Sequence, residues 1–163
     1  MIIKGEDKDI IRIDLSEVFG KVIRFSVSDS ERALPEHGNL VLVMREQDSP
    51  IFLTHIDVVV MDLTGRLADV LSDDSIEIED YDLNVNIKKD ALTWEGLKIS
   101  REAIQQALST GVLAEYQFGA PGYEHVQQAN RQKYMHALNT LAAAVSFRMD
   151  SNKRRTIESR DFW

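Results

Sequence analysis

Pro121-Gly-Tyr-Glu-His-Val-Gln-Gln-Ala-Asn130-Arg-Gln-Lys-Tyr-Met-His-Ala-Leu-Asn-Thr140-Leu-Ala-Ala-Ala-Val-Ser-Phe-Arg-Met149 reads as one long helix. Tyr134, Leu138, Leu141 and Val145 recur at steps of four, three and four, and Val126 and Ala129 continue the same face upstream. Pro121 suits a first helical position, Glu124 complements the positive end of the dipole and Arg148 the negative end. Asp150-Ser151-Asn152, whose side chains compete for backbone hydrogen bonds, are the expected stop. Such a helix is about 40 Å long. The small-faced run from Leu141 to Val145 admits another backbone closely, from this chain or from a second copy.

Upstream, the pattern predicts the sheet on which this helix packs. Ile10 to Leu15 alternates, and so does Lys21 to Val27 with Ile23, Phe25 and Val27 on one face. Leu40 to Met44 is a continuous apolar run. Ile51 to Asp62 is the most strand-like segment, with Phe52, Thr54, Ile56, Val58 and Val60 on one side and His55 and Asp57 on the other. Short strands are further expected at Leu67 to Leu71, Ser75 to Asp80, Leu83 to Lys88 and Leu92 to Ile99. Ser100 looks like the N-cap of a short helix that stops near Gly111, leaving residues 112–118 as a last strand; the alternative runs the helix through Gly111 to Tyr116. Phe118 to Gly122 is a loop by composition.

The expected fold is therefore α+β. A mostly antiparallel β meander, as a sheet, sandwich or open barrel, fills the first ~100 residues, and a short helix and the long C-terminal helix pack on it. Residues 1–149 form one domain, and 150–163 form a polar, basic tail.

A chain of 163 residues buries an ordinary core without staples. It has no cysteine, which removes thiol catalysis and the usual structural zinc sites. Its early residues charge too quickly for a signal peptide, and no apolar run approaches the roughly 20 residues of a membrane span. A soluble, unexported protein is expected.

The charge is uneven. Residues 1–99 carry 21 acidic and 11 basic side chains, net −10, whereas 100–163 carry 6 and 8, net +2. The total of −8 opposes a general nucleic-acid binder, because an acidic body repels phosphates. Asp69, Asp73, Asp74, Glu77, Glu79, Asp80 and Asp82 lie together with no basic residue among them. They lack the glycine-bearing, alternating order of an EF-hand loop. A docking surface for a basic partner, drawing on Asp73, Asp74, Glu77 and Glu79, is the functional reading; a solvated sheet margin is the plain one.

Motifs for chemistry are missing. None of the eight glycines falls in a phosphate-cradling spacing, and neither G-x-S-x-G nor H-E-x-x-H occurs. His55 and Asp57, two apart on a strand, would share a face and offer an acid–base or metal pair, the basis of a metal-dependent hydrolase alternative. His125 and His136 share a helical face but lie about 16 Å apart. No cofactor and no metal are expected.

The tail fits nothing upstream. Lys153, Arg154 and Arg155 would steer it, and Phe162 and Trp163 would anchor it, as a docking peptide on the acidic margin of a neighbour. The expected function is that of a non-enzymatic structural or assembly subunit, of a virion or similar particle, with protein partners and a homo-oligomer or larger assembly. The alternative is an acidic inhibitor or immunity-type protein binding a basic protein.

Overall fold

The computed structural model describes residues 1–33 and 41–158, with the side chains of 147–158 left aside. Four strands form one antiparallel sheet: β1 (Ile2–Lys4), β2 (Lys8–Asp14), β3 (Leu71–Glu79) and β4 (Asp82–Lys88), in the order β1-β2-β4-β3. Among the described residues four helices complete it: α1 (Leu15–Arg32), α2 (Ser49–Leu67), α3 (Trp94–Tyr116) and α4 (Glu124–Glu158). A 3-10 turn at Glu46–Asp48 leads into α2. The α+β class expected from the sequence is present, but helices are interleaved with strands rather than following a run of them.

Register decides which sheet face is covered. Ile11 pairs with Val85, Ile13 with Leu83 and Ile76 with Val85, so these side chains share one face, and all but half-buried Ile76 are fully enclosed. The other face carries Lys8, Arg12, Asn84 and Glu77, where Arg12 Nε donates to Asn84 Oδ1 at 2.9 Å. The first face meets the core and the second is polar, the ordinary alternation of an antiparallel sheet, although Asn84 and Asn86 on the polar face are themselves buried.

Three predicted strands are helices. Lys21 to Val27 lies in α1, whose buried residues Leu15, Val18, Val22, Ser26 and Asp29 step at helical intervals. Asp14 starts it, its carboxylate accepting from the Ser16 and Glu17 amides. Ile51 to Asp62 lies in α2. Phe52, Ile56, Val59, Leu63 and Leu67 face the core, whereas Val58, expected inside, is 43% exposed. Leu92 to Ile99 holds the start of α3, capped by Thr93 Oγ1 on Gly96 N at 3.0 Å, so Ser100 is mid-helix. Leu67 to Leu71 spans the end of α2 and the entry to β3. Of the apolar run near Met44, residues 41–45 have no regular structure; Met44 N donates to Ser26 Oγ at 3.0 Å and Leu42 N to the Tyr123 hydroxyl at 2.9 Å.

Gly111 does not stop α3. A Cβ there would lie 2.7 Å from Val59 Cγ2 and 2.9 Å from Tyr134 Cε2, so the missing side chain lets α2, α3 and α4 close on one another. Residues 112–116 are thus helix, with Val112, Leu113 and Ala114 buried. α3 is the central element, touching α1, α2, α4 and strands β1 and β2. The long helix packs antiparallel on α3. Leu138, Leu141 and Val145 join Phe52 and Ile56 in one core, as expected. Its backbone runs past Asp150-Ser151-Asn152 to Glu158, so Lys153, Arg154 and Arg155 are on a helix and not in an irregular tail.

Candidate functional site

α2 begins at Ser49-Pro50, with proline where its missing N–H costs nothing. Its β-branched residues are poor helix formers, but tertiary burial overrides propensity, and Thr54 and Thr64 return their hydroxyl protons to the Pro50 and Val60 carbonyls. Opposite the core stripe lies a second one. Ile51, Thr54, Val58, Met61, Gly65 and Ala68 step by three, four, three, four and three, and every one is exposed, Met61 to 74%. That is the spacing of a coiled-coil seam, about 26 Å long. His55 and Asp62 flank it on one side, Asp57 and Thr64 on the other.

A groove of about 250 Å³ opens beside the seam, lined by Asp62, Phe118, Arg131, Tyr134 and Met135. Phe118 is 72% exposed and Met135 40%. Tyr134 closes the floor by donating to Asp62 Oδ2 at 2.6 Å. Together these side chains extend the apolar surface of α2 onto the α3–α4 corner.

His55 and Asp57 are not the pair expected of a strand. Two residues apart on a helix, they are turned about 200° from each other. The imidazole sits edge-on to the Tyr116 ring, 6.4 Å between centroids, and burial lowers its pKa against the opposing pull of Glu115. Asp57 is exposed on the far side. Among the described residues, no three His, Asp or Glu side chains converge as metal ligands.

The acidic cluster lies on β3, at one end of the strand order. Asp73, Asp74, Glu77 and Glu79 are all exposed. Asp74 pairs with Lys8 from β2, and Asn86 donates to Glu77 Oε2 at 3.4 Å, so half the cluster is engaged within the chain. Phe162 and Trp163 lie outside the described residues. No protein-family model, curated protein or solved structure matches this chain. Among the described residues, no helix is long and apolar enough to cross a membrane.

The α2 surface is hidden in the sequence because residues 51–62 also alternate with period two, which sends Val58 inward. Its signal was present all the same: apolar residues occur at both the core spacing and the seam spacing, more than one buried stripe needs.

Proposed function

We propose that the protein is a non-catalytic assembly subunit that pairs with a second copy of itself through the outer face of α2. The exposed heptad-spaced stripe from Ile51 to Ala68 carries this reading, because soluble monomers rarely leave a contiguous apolar helix face to water. A two-fold pair presents the same patch from both copies. Antiparallel packing with Val58 against Met61 of the second copy also sets Thr54 against Gly65 and Ile51 against Ala68, large against small. The same register places His55 beside Asp62 of the second copy and Asp57 beside Thr64, so no like charges meet. Phe118 and Met135 enlarge the contact next to Asp62.

Sedimentation velocity across roughly 1–100 µM tests the proposal, a range that brackets micromolar affinity. The parent protein should form a dimer. Met61→Glu should give a monomer whose thermal midpoint equals that of the parent at concentrations too low for the parent to dimerise. A parent chain that stays monomeric at the upper concentration, or a Met61→Glu dimer as tight as the parent, overturns it. Removal of residues 151–163 separates this contact from a tail-mediated one: here the truncated chain still dimerises.

A second reading follows from β3. Asp73 and Glu79 are exposed and form no ion pair among the described residues, which suits a basic protein partner steered to that margin. A strictly monomeric chain would favour it.

A further inference from the structure

A cleft of about 440 Å³ lies between α1, α3 and α4, within the usual size range of small-molecule sites. Its floor is a buried polar knot. Gln117 Nε2 and Asn130 Nδ2 both donate to Asp29 Oδ2 at 2.7 Å, and Asn130 Nδ2 also donates to Gln117 Oε1 at 3.0 Å. All three side chains are more than nine-tenths buried. Both amide donors converge on one carboxylate oxygen. Asp29 Oδ1 and Asn130 Oδ1 accept from no donor among the described residues. Two such acceptors on the lining of a cleft suit a donor-rich group.

Two cations stand at the ends of this floor. The His125 ring meets the Arg32 carbonyl while Asn130 meets Asp29, so α1 and α4 run antiparallel here. Arg32, one turn beyond Asp29, and Lys133, one turn beyond Asn130, therefore lie in opposite directions from the floor, about 9 Å apart along the helices. Both line the cleft, and neither forms an ion pair among the described residues. Phe25, 47% exposed, supplies an apolar wall. One carboxylate between two cations leaves a surplus of one positive charge.

We propose that this cleft binds an amino dicarboxylic acid of the glutamate or aspartate type. Its ammonium group sits on Asp29 and Asn130, and its two carboxylates reach Arg32 and Lys133. A simple amine would meet two cations with nothing to offer them, and a simple dicarboxylate would bring a third carboxylate beside Asp29 with no donor for it. The ligand's net charge of about −1 at neutral pH matches the surplus. The site is separate from the α2 face and stands whether or not the chain dimerises.

Isothermal titration calorimetry on the full chain, with L-glutamate and L-aspartate as probes, tests the assignment. At least one should bind and raise the thermal midpoint. L-Glutamine, which lacks one carboxylate, and N-acetyl-L-glutamate, which lacks the ammonium, should each bind roughly tenfold more weakly or worse, because each strands a charged partner. Lys133→Met should weaken glutamate binding with the apo melting temperature unchanged. Asp29→Asn should abolish the preference for the free amine. No binding of either acid up to about 10 mM, a level at which even millimolar affinity saturates measurably, overturns the proposal. Equal binding of N-acetyl-L-glutamate by the parent protein does so as well, independently of how any variant folds.

Discussion

Tyr134 of α4 gives its phenolic proton to Asp62 of α2 at 2.6 Å, and the bond ties the long helix to the helix whose other face is open. Burial first, and the Asp62 carboxylate second, raise the phenol pKa above its ordinary value of 10.0. A raised folded-state pKa means that the unfolded chain loses this proton first. The contribution to stability is complete below pH 10 and is lost as pH climbs above it. Urea denaturation at pH 7 and at about pH 10.5 should show a fall in stability that is smaller in Tyr134→Phe. An identical fall in both proteins would place the alkaline sensitivity elsewhere.

Gly111→Ala tests the three-helix junction. Alanine is the better helix former by about 1 kcal/mol, yet its methyl would enter within 3 Å of Val59 and Tyr134. Overpacking of that kind costs about 1–3 kcal/mol, so a net loss is expected. A stabilised variant would mean that the junction yields without strain.

Leu141→Ala and Val58→Ala should separate sharply. Leu141 is fully enclosed between α4 and the rest of the core, and its truncation should cost about 2–5 kcal/mol. Val58 lies on the outer face of α2, so in a dilute monomer its truncation should change stability by less than about 0.5 kcal/mol. Denaturant midpoints at low concentration give the comparison, and similar losses at both sites would return residues 51–62 to the buried strand that their alternation suggests.

The β3–β4 hairpin turns through Asp80 and Tyr81, both with positive φ, 51° and 67°. Tyr81 is held there by its contacts: its carbonyl accepts from Leu15 N at 2.8 Å, its hydroxyl meets Ser49, and its ring packs on the core. Asp80 is exposed. Asp80→Gly should therefore raise stability by about 0.5–1 kcal/mol, since left-handed backbone costs a non-glycine residue about 1–2 kcal/mol and the looser unfolded chain of glycine offsets part of that gain. Calorimetric midpoints decide it; a lower midpoint would reveal a side-chain role for Asp80.

The legible parts of this fold are those with a single period. β2, β3 and β4 alternate over a sheet with one polar face, and α4 repeats at four, three and four over a polar background. α1 and α2 were not legible by period, because apolar or β-branched residues lie on several sides and satisfy steps of two and of 3.6 together. Other signals favoured helix: Asp14 with Glu17 three residues on, Pro50 at a first turn, and an uninterrupted segment of 19 residues in α2, far longer than a usual strand. Gly111 is misleading as punctuation, since it serves close packing. The β3 acidic surface was readable as a run in sequence. The cleft was not: Asp29, Gln117 and Asn130 meet only through folding, 88 and 101 residues apart.

The placement of β2 beside β4 bears on how the chain matures during synthesis. Arg12 and its partner Asn84 are 72 residues apart, with α1 and α2 made between them. At 5–20 residues per second, β2 leaves the ribosome about 4–14 s before β4 exists to receive it. For that interval Ile11 and Ile13 have only a three-residue neighbour in β1 and no lid of α3. β2 is thus enclosed long after it is made, and in that interval it is where a chaperone has the most to hold.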